Sequence, residues 1–143
     1  LPTGDRLFKI APKYDHRCAS CSCEVEDDDH LLQCPARRQF RYQILKELRY
    51  HAFRYLHPQL QDIFREGMYL YFTKRPPPNP DNYVDPFNAL VEEQNFIGWD
   101  NLFRGKFSVS WNEIQRAYIK SALLRNPKSS LKKHKRKNVV VTM

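Results

Sequence analysis

Residues 18–35 read CASCSCEVEDDDHLLQCP and contain every cysteine of the chain. Cys18 and Cys21 are two residues apart, a spacing at which a tight turn can direct two thiolates toward one metal ion. His30 and Cys34 stand at positions i and i+4, so a helical turn would place both on one face. The two pairs supply the four nitrogen and sulfur ligands that Zn²⁺ prefers in closed, structural sites. The stretch, called the finger below, therefore predicts a structural zinc site made of a short hairpin and a helical turn.

Cys23 lies inside the finger and makes the ligand set ambiguous. It could replace Cys18 or Cys21 in a distorted site, although a Cys-x-Cys pair is a rarer metal-binding turn. We expect Cys23 to be a bystander and a site of oxidation. Two other interpretations stay open, namely four reduced cysteines without a metal and a disulfide framework. In an intracellular chain, a metal is favoured over disulfides.

The loop between the two ligand pairs is acidic and contains neither Lys nor Arg. Its carboxylates belong to Glu24, Glu26, Asp27, Asp28 and Asp29. Such a surface repels a phosphate backbone. We therefore expect the finger to stabilise the fold or to dock on a basic surface, and not to grip DNA directly.

Basic residues follow the finger and return at the end of the chain. Those of residues 36–57 are opposed only by Glu47, and the net charge of +8 comes largely from residues 127–143. A basic arm can bind nucleic acid by releasing counterions, without reading sequence. A solvated surface and a nuclear localisation signal remain alternatives. The predicted nucleic-acid-binding residues are Arg37, Arg38, Arg41, Lys132, Lys133, Lys135, Arg136 and Lys137.

The rest of the chain predicts helices. Residues 36–57 contain neither Gly nor Pro, and their apolar side chains recur every four residues. This row consists of Phe40, Ile44, Leu48, Ala52 and Leu56. Pro58 can end this helix or open the next one, which is expected over residues 59–72. The apolar stripe of that second helix consists of Leu60, Ile63, Phe64, Met68 and Phe72.

Further short patterns predict the remaining elements. Leu7, Phe8 and Ile10 are expected to form a short strand that packs on the finger. Residues 87–97 resemble a helix, and Ser110 with Glu113 fits a capping box for a final helix to about Arg125. The expected inner face of that helix consists of Trp111, Ile114, Tyr118 and Ala122. Trp99 and Trp111 are expected in the core.

Residues 74–86 are rich in proline, which favours neither a helix nor a central strand. We expect an exposed linker with polyproline character, and a ligand for a proline-recognition domain is the alternative. The predicted fold class is mainly α, with a small zinc knuckle, a helical bundle-like module and a disordered basic tail. Its segments are the approach segment and finger (1–35), a two-helix segment (36–73), the linker (74–86), a helical block (87–126) and the tail (127–143).

Signatures of common enzymes are absent from the sequence. It contains no P-loop, no Gly-rich dinucleotide turn, no GxSxG elbow and no HExxH, and its acids form no recognisable pair for two-metal chemistry. No stretch approaches the roughly 20 apolar residues of a membrane helix. We therefore expect a non-catalytic, intracellular protein without a membrane span.

Two stretches carry a resemblance to a known family. The finger resembles the zinc-binding segment downstream of the reverse transcriptase in non-LTR-type retroelements, whose pattern is CPxC, an acidic loop and H(L/V)LxCP. Ala19 stands here in place of the usual proline. Residues 92–119, EEQNFIGWDNLFRGKFSVSWNEIQRAYI, look like the block that follows such fingers in retroelement-like proteins of algae and diatoms. The two stretches cover about a third of the chain.

The resemblance implies that Cys18, Cys21, His30 and Cys34 bind Zn²⁺ in an accessory part of a retroelement polyprotein. Its partners would be nucleic acid and the polymerase domain upstream. Because the chain begins with Leu1, we expect a fragment of a longer polyprotein or an incomplete gene model, and a decayed relic is a further interpretation. The alternative function is a protein-interaction module that uses the acidic loop and the proline-rich linker.

Overall fold

The computed structural model of the chain describes residues 3–13, 15–22, 24–51 and 53–125. Within these ranges the chain is mainly helical, and extended segments pair only at one antiparallel bridge between Arg17 and Val25. The α-helices are α1 (Gly4–Ile10), α2 (Asp28–Gln33), α3 (Arg38–His51), α4 (Pro58–Phe72), α5 (Phe87–Ile97) and α6 (Val109–Arg125). Short 3₁₀ turns lie at Pro35–Arg37, Phe53–Tyr55, Pro80–Asn82 and Asp100–Arg104. The prediction of a mainly α chain is confirmed.

A proline marks the start of α4, and a glycine marks the end of α5. Pro58 is the first residue of α4, where its missing amide hydrogen costs nothing, and the ring of the preceding His57 accepts a hydrogen bond from the amide of Gln59 at 3.0 Å. Helix α5 ends at Gly98, whose φ of 98° strongly favours glycine. The predicted limits of the α5 helix, residues 87–97, are confirmed.

The hydrophobic core is formed by α4, α5, α6 and the turn between the last two. Its buried members are Leu60, Ile63, Met68, Leu90, Val91, Trp99, Leu102 and Ile114. The stripe predicted for α4 lies in or against this core, and Trp111 packs on it. The expectation that both tryptophans are core residues is therefore confirmed. The residues assigned to two separate segments, 36–73 and 87–126, contribute to one and the same core.

A buried amide organises the polar groups of this core. Gln94 is fully buried, and its side-chain oxygen accepts hydrogen bonds from the Ser108 amide at 3.2 Å and from the Trp111 indole at 3.1 Å. Its amide nitrogen donates to the carbonyl of Gly98 at 3.1 Å. These bonds connect the end of α5 to the start of α6, which fixes the turn that carries Trp99.

The apolar row predicted for residues 36–57 is confirmed only in part, since Leu56 packs against the core and Leu48 is half-buried. Phe40 and Ile44, two members of the predicted row, are 65% and 40% exposed, whereas Leu45 packs against the core. A strict four-residue row drifts around a helix of 3.6 residues per turn, so it selects a face only approximately. Another predicted member of the row, Ala52, lies outside the described residues.

Residues 74–86 are not an exposed spacer throughout. Pro78 is fully buried, and its carbonyl accepts a hydrogen bond from the Asn95 side chain of α5 at 2.8 Å. Tyr83 packs against the core, and its hydroxyl donates to Glu66 of α4. Most residues of the segment are exposed, as expected, but it is not a plain spacer, because Pro78 and Tyr83 attach it to α5 and α4.

Two smaller predictions are also corrected. Leu7, Phe8 and Ile10 belong to helix α1 and not to a strand, and the amide of Asp5 at its start donates to the carbonyl of Glu26 at 3.1 Å. The final helix begins at Val109, so Ser110 lies inside it, and the Ser110 amide donates to the hydroxyl of Ser108 at 3.1 Å. The helix is thus capped two residues earlier than the capping box suggests. The helix reaches Arg125, the last described residue, so its predicted end is not tested; Ala122, expected on the inner face, is exposed.

No helix in the described part of the chain is long and apolar enough to cross a membrane. The predicted basic tail, residues 127–143, and its five predicted nucleic-acid-binding residues lie outside the described residues.

Candidate metal centre

The first ligand pair lies on a tight turn that closes a small loop. The amide of Cys18 donates to the carbonyl of Glu24 at 2.8 Å, and the amide of Ser22 donates to the carbonyl of Cys18 at 2.7 Å. The Arg17–Val25 bridge continues this pairing outward. Ser20 also directs its amide at the Cys18 sulfur, at 3.4 Å. The loop therefore returns on itself, and Cys18 and Cys21 face the same space.

The second ligand pair lies on the short helix α2. Asp27 caps this helix, and its carboxylate accepts a hydrogen bond from the His30 amide at 2.6 Å. The amide of Cys34 donates to the carbonyl of His30 at 2.8 Å, so the two residues are one helical turn apart. The predicted i, i+4 relation of His30 and Cys34 is thus present.

The four predicted ligands come together in space. One ligand atom from each of Cys18, Cys21, His30 and Cys34 lies within 4.8 Å of all the others. The sulfurs of Cys18 and Cys34 are 3.7 Å apart, and the sulfur of Cys21 is 3.3 Å from Nε2 of His30. Zn–S bonds of about 2.3 Å in a tetrahedron give sulfur–sulfur distances of about 3.8 Å. The cluster therefore has dimensions suited to a tetrahedral metal ion.

The cluster is largely shielded from water. Cys18, His30 and Cys34 are 1%, 5% and 0% exposed, and Cys21 is partly buried. Cys23, the alternative ligand, lies outside the described residues.

A carboxylate orients the histidine. Oε2 of Glu24 lies 3.0 Å from Nδ1 of His30, on the side of the ring opposite the Cys21 contact. Such a partner fixes which nitrogen carries the proton and directs the other nitrogen to a metal. Glu24 was recognised in the sequence only as one acid of the loop. Its position between the ligand pairs, six residues before His30, is the signal that could have identified it.

The cluster itself perturbs the ionisation of its ligands. Burial opposes ionisation of Cys18, but hydrogen bonds from the Cys21 and Ser20 amides and from His30 outweigh it and lower the pKa of this thiol to about 6. Burial raises the pKa of the Cys34 thiol. Burial also disfavours the charged form of His30, but its contacts with Cys18 and Cys21 prevail and raise its pKa. A metal cation would replace these protons as the positive charge at the centre.

Much of the acidic loop is paired within the chain. The carboxylate of Glu26 accepts from Arg37 at 2.7 Å and from the Gly4 amide at 3.0 Å. Asp28 pairs with Arg6 at 2.8 Å, and Lys74 lies 3.8 Å from Glu24. These contacts agree with the expectation that the loop meets a basic surface, but the surface is contributed by several segments.

The predicted basic residues after the finger have different environments. Arg37 binds Glu26 and donates to the Ser20 hydroxyl at 2.8 Å, so it is used within the fold. Arg41 donates to the carbonyl of Cys34, and its guanidinium lies 5.2 Å from the ring centroid of Phe72. Arg38 is exposed. Of these three, Arg38 is therefore the one most open to an external partner.

Contacts with α4 attach the finger to the core. The Gln33 side chain donates to the carbonyl of Tyr71 at 3.1 Å, and the Tyr71 hydroxyl lies 3.3 Å from the Asp29 carboxylate. Arg41 adds a third connection through Cys34 and Phe72. The orientation of the metal centre thus depends on the end of α4.

No protein-family model, no curated protein and no solved structure matches the chain.

Proposed function

We propose that Cys18, Cys21, His30 and Cys34 bind one Zn²⁺ as a structural centre, and that the chain is a non-catalytic zinc module. The observation that carries this proposal is the convergence of the four ligand atoms within 4.8 Å of one another. Soft thiolates with one imidazole suit Zn²⁺ better than the oxygen-seeking cations Mg²⁺ or Ca²⁺. Since four protein ligands complete the tetrahedron, no coordination position is left for an activated water.

Metal content of the purified chain tests the proposal. The chain, purified without added metal, should contain one equivalent of zinc when its metal content is measured by inductively coupled plasma mass spectrometry. His30→Ala should lose it, because three thiolates alone leave the tetrahedron incomplete. His51→Ala is the matched control, since this histidine is exposed on α3 and is not a member of the ligand cluster. Folded wild-type chain without zinc would refute the proposal.

The Cys23 alternative has its own test. If Cys23 is a bystander, Cys23→Ser keeps the zinc and Cys21→Ser loses it. Replacing zinc by Co²⁺ should give the visible absorption of a tetrahedral thiolate site in Cys23→Ser but not in Cys21→Ser. The opposite result would assign the fourth position to Cys23.

The wider role that we propose is binding or positioning of nucleic acid, as an accessory part of a reverse-transcriptase-like retroelement polyprotein. Exposed basic residues, of which Arg38 is one, and the basic residues of the tail support the nucleic-acid part of this role. The resemblance of the two sequence stretches supports the polyprotein part, with the upstream polymerase domain as partner. A salt titration tests the binding: affinity for nucleic acid should fall steeply with salt and should weaken on deletion of residues 128–138. No binding near physiological salt would contradict it.

A protein-interaction module remains the second candidate from the sequence. Two observations weigh against the surfaces it would use. Glu26 of the acidic loop is bound by Arg37 and Gly4, and Pro78 of the proline-rich segment is buried. The nucleic-acid role is therefore preferred.

A further inference from the structure

A groove separates the start of α3 from the end of α4. Its volume is about 430 Å³, in the range of pockets that hold small organic ligands. Its basic and aromatic lining includes Arg38, Arg41, Tyr42, Tyr69, Lys74 and Arg75. Among the described residues, no Asp or Glu lines it. The groove thus combines positive charge with aromatic surface, and it lies outside the metal centre.

Two tyrosines of the groove each have an arginine guanidinium over the ring. The guanidinium of Arg38 lies 5.7 Å from the ring centroid of Tyr42, and that of Arg75 lies 5.6 Å from the centroid of Tyr69. The two tyrosines are 49% and 40% exposed. Each ring therefore offers accessible surface beside a positive charge, although neither ring is needed to fill the core.

We infer that this groove binds single-stranded nucleic acid. Phosphates would contact Arg38, Lys74 and Arg75, and one base would stack on each of Tyr69 and Tyr42. Proteins that bind single strands combine these two features, because every base has a face that stacks and every linkage carries a charge. The inference rests on the nucleic-acid role proposed above, and it names the site and the class of nucleic acid.

The rings distinguish this ligand from other anions. A duplex stacks its bases on one another, so their faces are not available to a tyrosine. The face of a tyrosine ring carries negative charge density, so a carboxylate of an acidic peptide gains nothing from it. Lys74 also lies 3.8 Å from Glu24, so part of its charge is already compensated. Arg38 and Arg75 are therefore the main phosphate contacts.

Arg41 relates the groove to the metal centre. It lines the groove, donates to the carbonyl of the ligand Cys34 and lies over Phe72. The groove wall is thus attached to the finger, and the experiment uses the full, zinc-loaded chain.

The first test isolates stacking from charge. The probe is a fluorescein-labelled oligothymidylate of about twelve nucleotides, within the usual site sizes for single strands. Its affinity is measured by fluorescence anisotropy near physiological salt, with a hairpin duplex as the second probe. Tyr69→Leu should bind the single strand roughly tenfold more weakly, because one stacked base is lost. Affinity for the duplex should not change.

Phe96→Leu is the matched control for this substitution. Phe96 is 93% exposed and does not line the groove, so removing its ring should leave the affinity for both probes unchanged. Thermal unfolding of both variants verifies that they are folded. Equal affinities of folded Tyr69→Leu, Phe96→Leu and wild type for the single strand would overturn the inference.

The second test isolates the phosphate contacts. Arg75→Gln should reduce the dependence of log affinity on log salt by about one unit, as expected for one lost phosphate contact. Arg116→Gln, an exposed charge on α6 outside the groove, should not. Poly-glutamate should compete poorly with the oligonucleotide. Competition by poly-glutamate as strong as that by unlabelled oligothymidylate would overturn the assignment to nucleic acid.

The outcomes separate this inference from the proposals it rests on. Single-strand binding that is lost on deletion of residues 128–138 but unaffected by Tyr69→Leu and Arg75→Gln would leave the general nucleic-acid role intact and overturn the groove. No binding of either probe by the wild type would overturn both. Weakened binding in Tyr69→Leu, with zinc content equal to the wild type, would support the groove independently of the metal.

Discussion

Gly67 of α4 lies directly against the indole ring of Trp99. A Cβ atom built on Gly67 would come within 2.1 Å of Cζ3 of the ring, far inside any permitted contact. In an ordinary helix, Gly→Ala stabilises by about 1 kcal/mol. Here we expect Gly67→Ala to destabilise the protein by about 2 kcal/mol or more, because the buried indole has to move. The urea midpoint of unfolding measures this change.

A substitution of Trp99 tests whether the indole ring causes the destabilisation by Gly67→Ala. Trp99→Leu should cost less in the Gly67→Ala background than in the wild type, because the smaller side chain removes the clash. Additive losses in the double variant would show that the two residues are not coupled, in contradiction to the contact.

Glu24 should contribute to metal affinity although it is not a ligand. Since its carboxylate contacts Nδ1 of His30, Glu24→Ala should weaken zinc binding about tenfold or more. Competition with a chromophoric chelator measures the affinity. Glu113→Ala removes an exposed acid on α6 and should leave the affinity unchanged. Equal affinities of the two variants would mean that the carboxylate does not orient the ligand.

Arg37 and Arg38 are adjacent, but their substitution should have opposite consequences. Arg37→Gln leaves the largely buried carboxylate of Glu26 without its cation and should destabilise the finger by about 1–3 kcal/mol. Arg38→Gln should change stability by less than about 0.5 kcal/mol. Affinity for single-stranded DNA should show the reverse order, with Arg38→Gln the weaker binder. A larger stability loss in Arg38→Gln would contradict the assignment of these roles.

Glu93 makes part of the stability depend on pH. Hydrogen bonds from the hydroxyls of Ser108 and Ser110 hold the pKa of Glu93 below its ordinary value of 4.5. A depressed folded pKa contributes stability that is present above 4.5 and is lost as pH falls through the folded pKa. Glu93→Gln should therefore be less stable than wild type at pH 7, and the difference should shrink below pH 4.5.

Urea midpoints of both chains across this range measure the difference. The exposed Glu92, on the same helix, provides the control variant Glu92→Gln. A difference between Glu93→Gln and wild type that stays constant from neutral to acid pH would contradict the role of the ionised carboxylate.

The pairing of Cys18 with Cys21 and of His30 with Cys34 was predictable because their spacing is local. Two residues between Cys18 and Cys21, and one helical turn between His30 and Cys34, bring each pair together without any distant contact. The α5 helix was equally predictable, since Gly98 ends it within the pattern itself. Zinc was expected from these ligand types, and the convergence of the four side chains is compatible with it.

The errors concern features that distant partners decide. Leu7, Phe8 and Ile10 are too few for a period to distinguish a strand from a helix, and the contacts of α1 with Glu26 are made across the fold. Pro78 is buried, and Asn95 of α5 binds its carbonyl. Neither partner can be identified from neighbouring sequence.

Helix α3 shows a related limit of periodicity. Successive residues of an α-helix lie about 100° apart, so Leu45 faces well away from Ile44 of the predicted row, and only the packing of α3 against the core selects its buried side. The capping of α6 also depends on contacts that local sequence does not show, since Glu93 and Gln94 of α5 hold Ser108 in place.

The eight buried residues of the core all lie between Leu60 and Ile114, and the finger contributes none of them. The proposed zinc would therefore make the finger a second cooperative unit, held by coordination bonds, beside the core, which is held by apolar packing. Chelation should accelerate amide hydrogen exchange in α2 while the amides of α4 and α5 keep their protection. Opening of the finger would then be a local event that depends on the concentration of free zinc. Loss of zinc would release Arg41, and with it one wall of the groove, without unfolding the core.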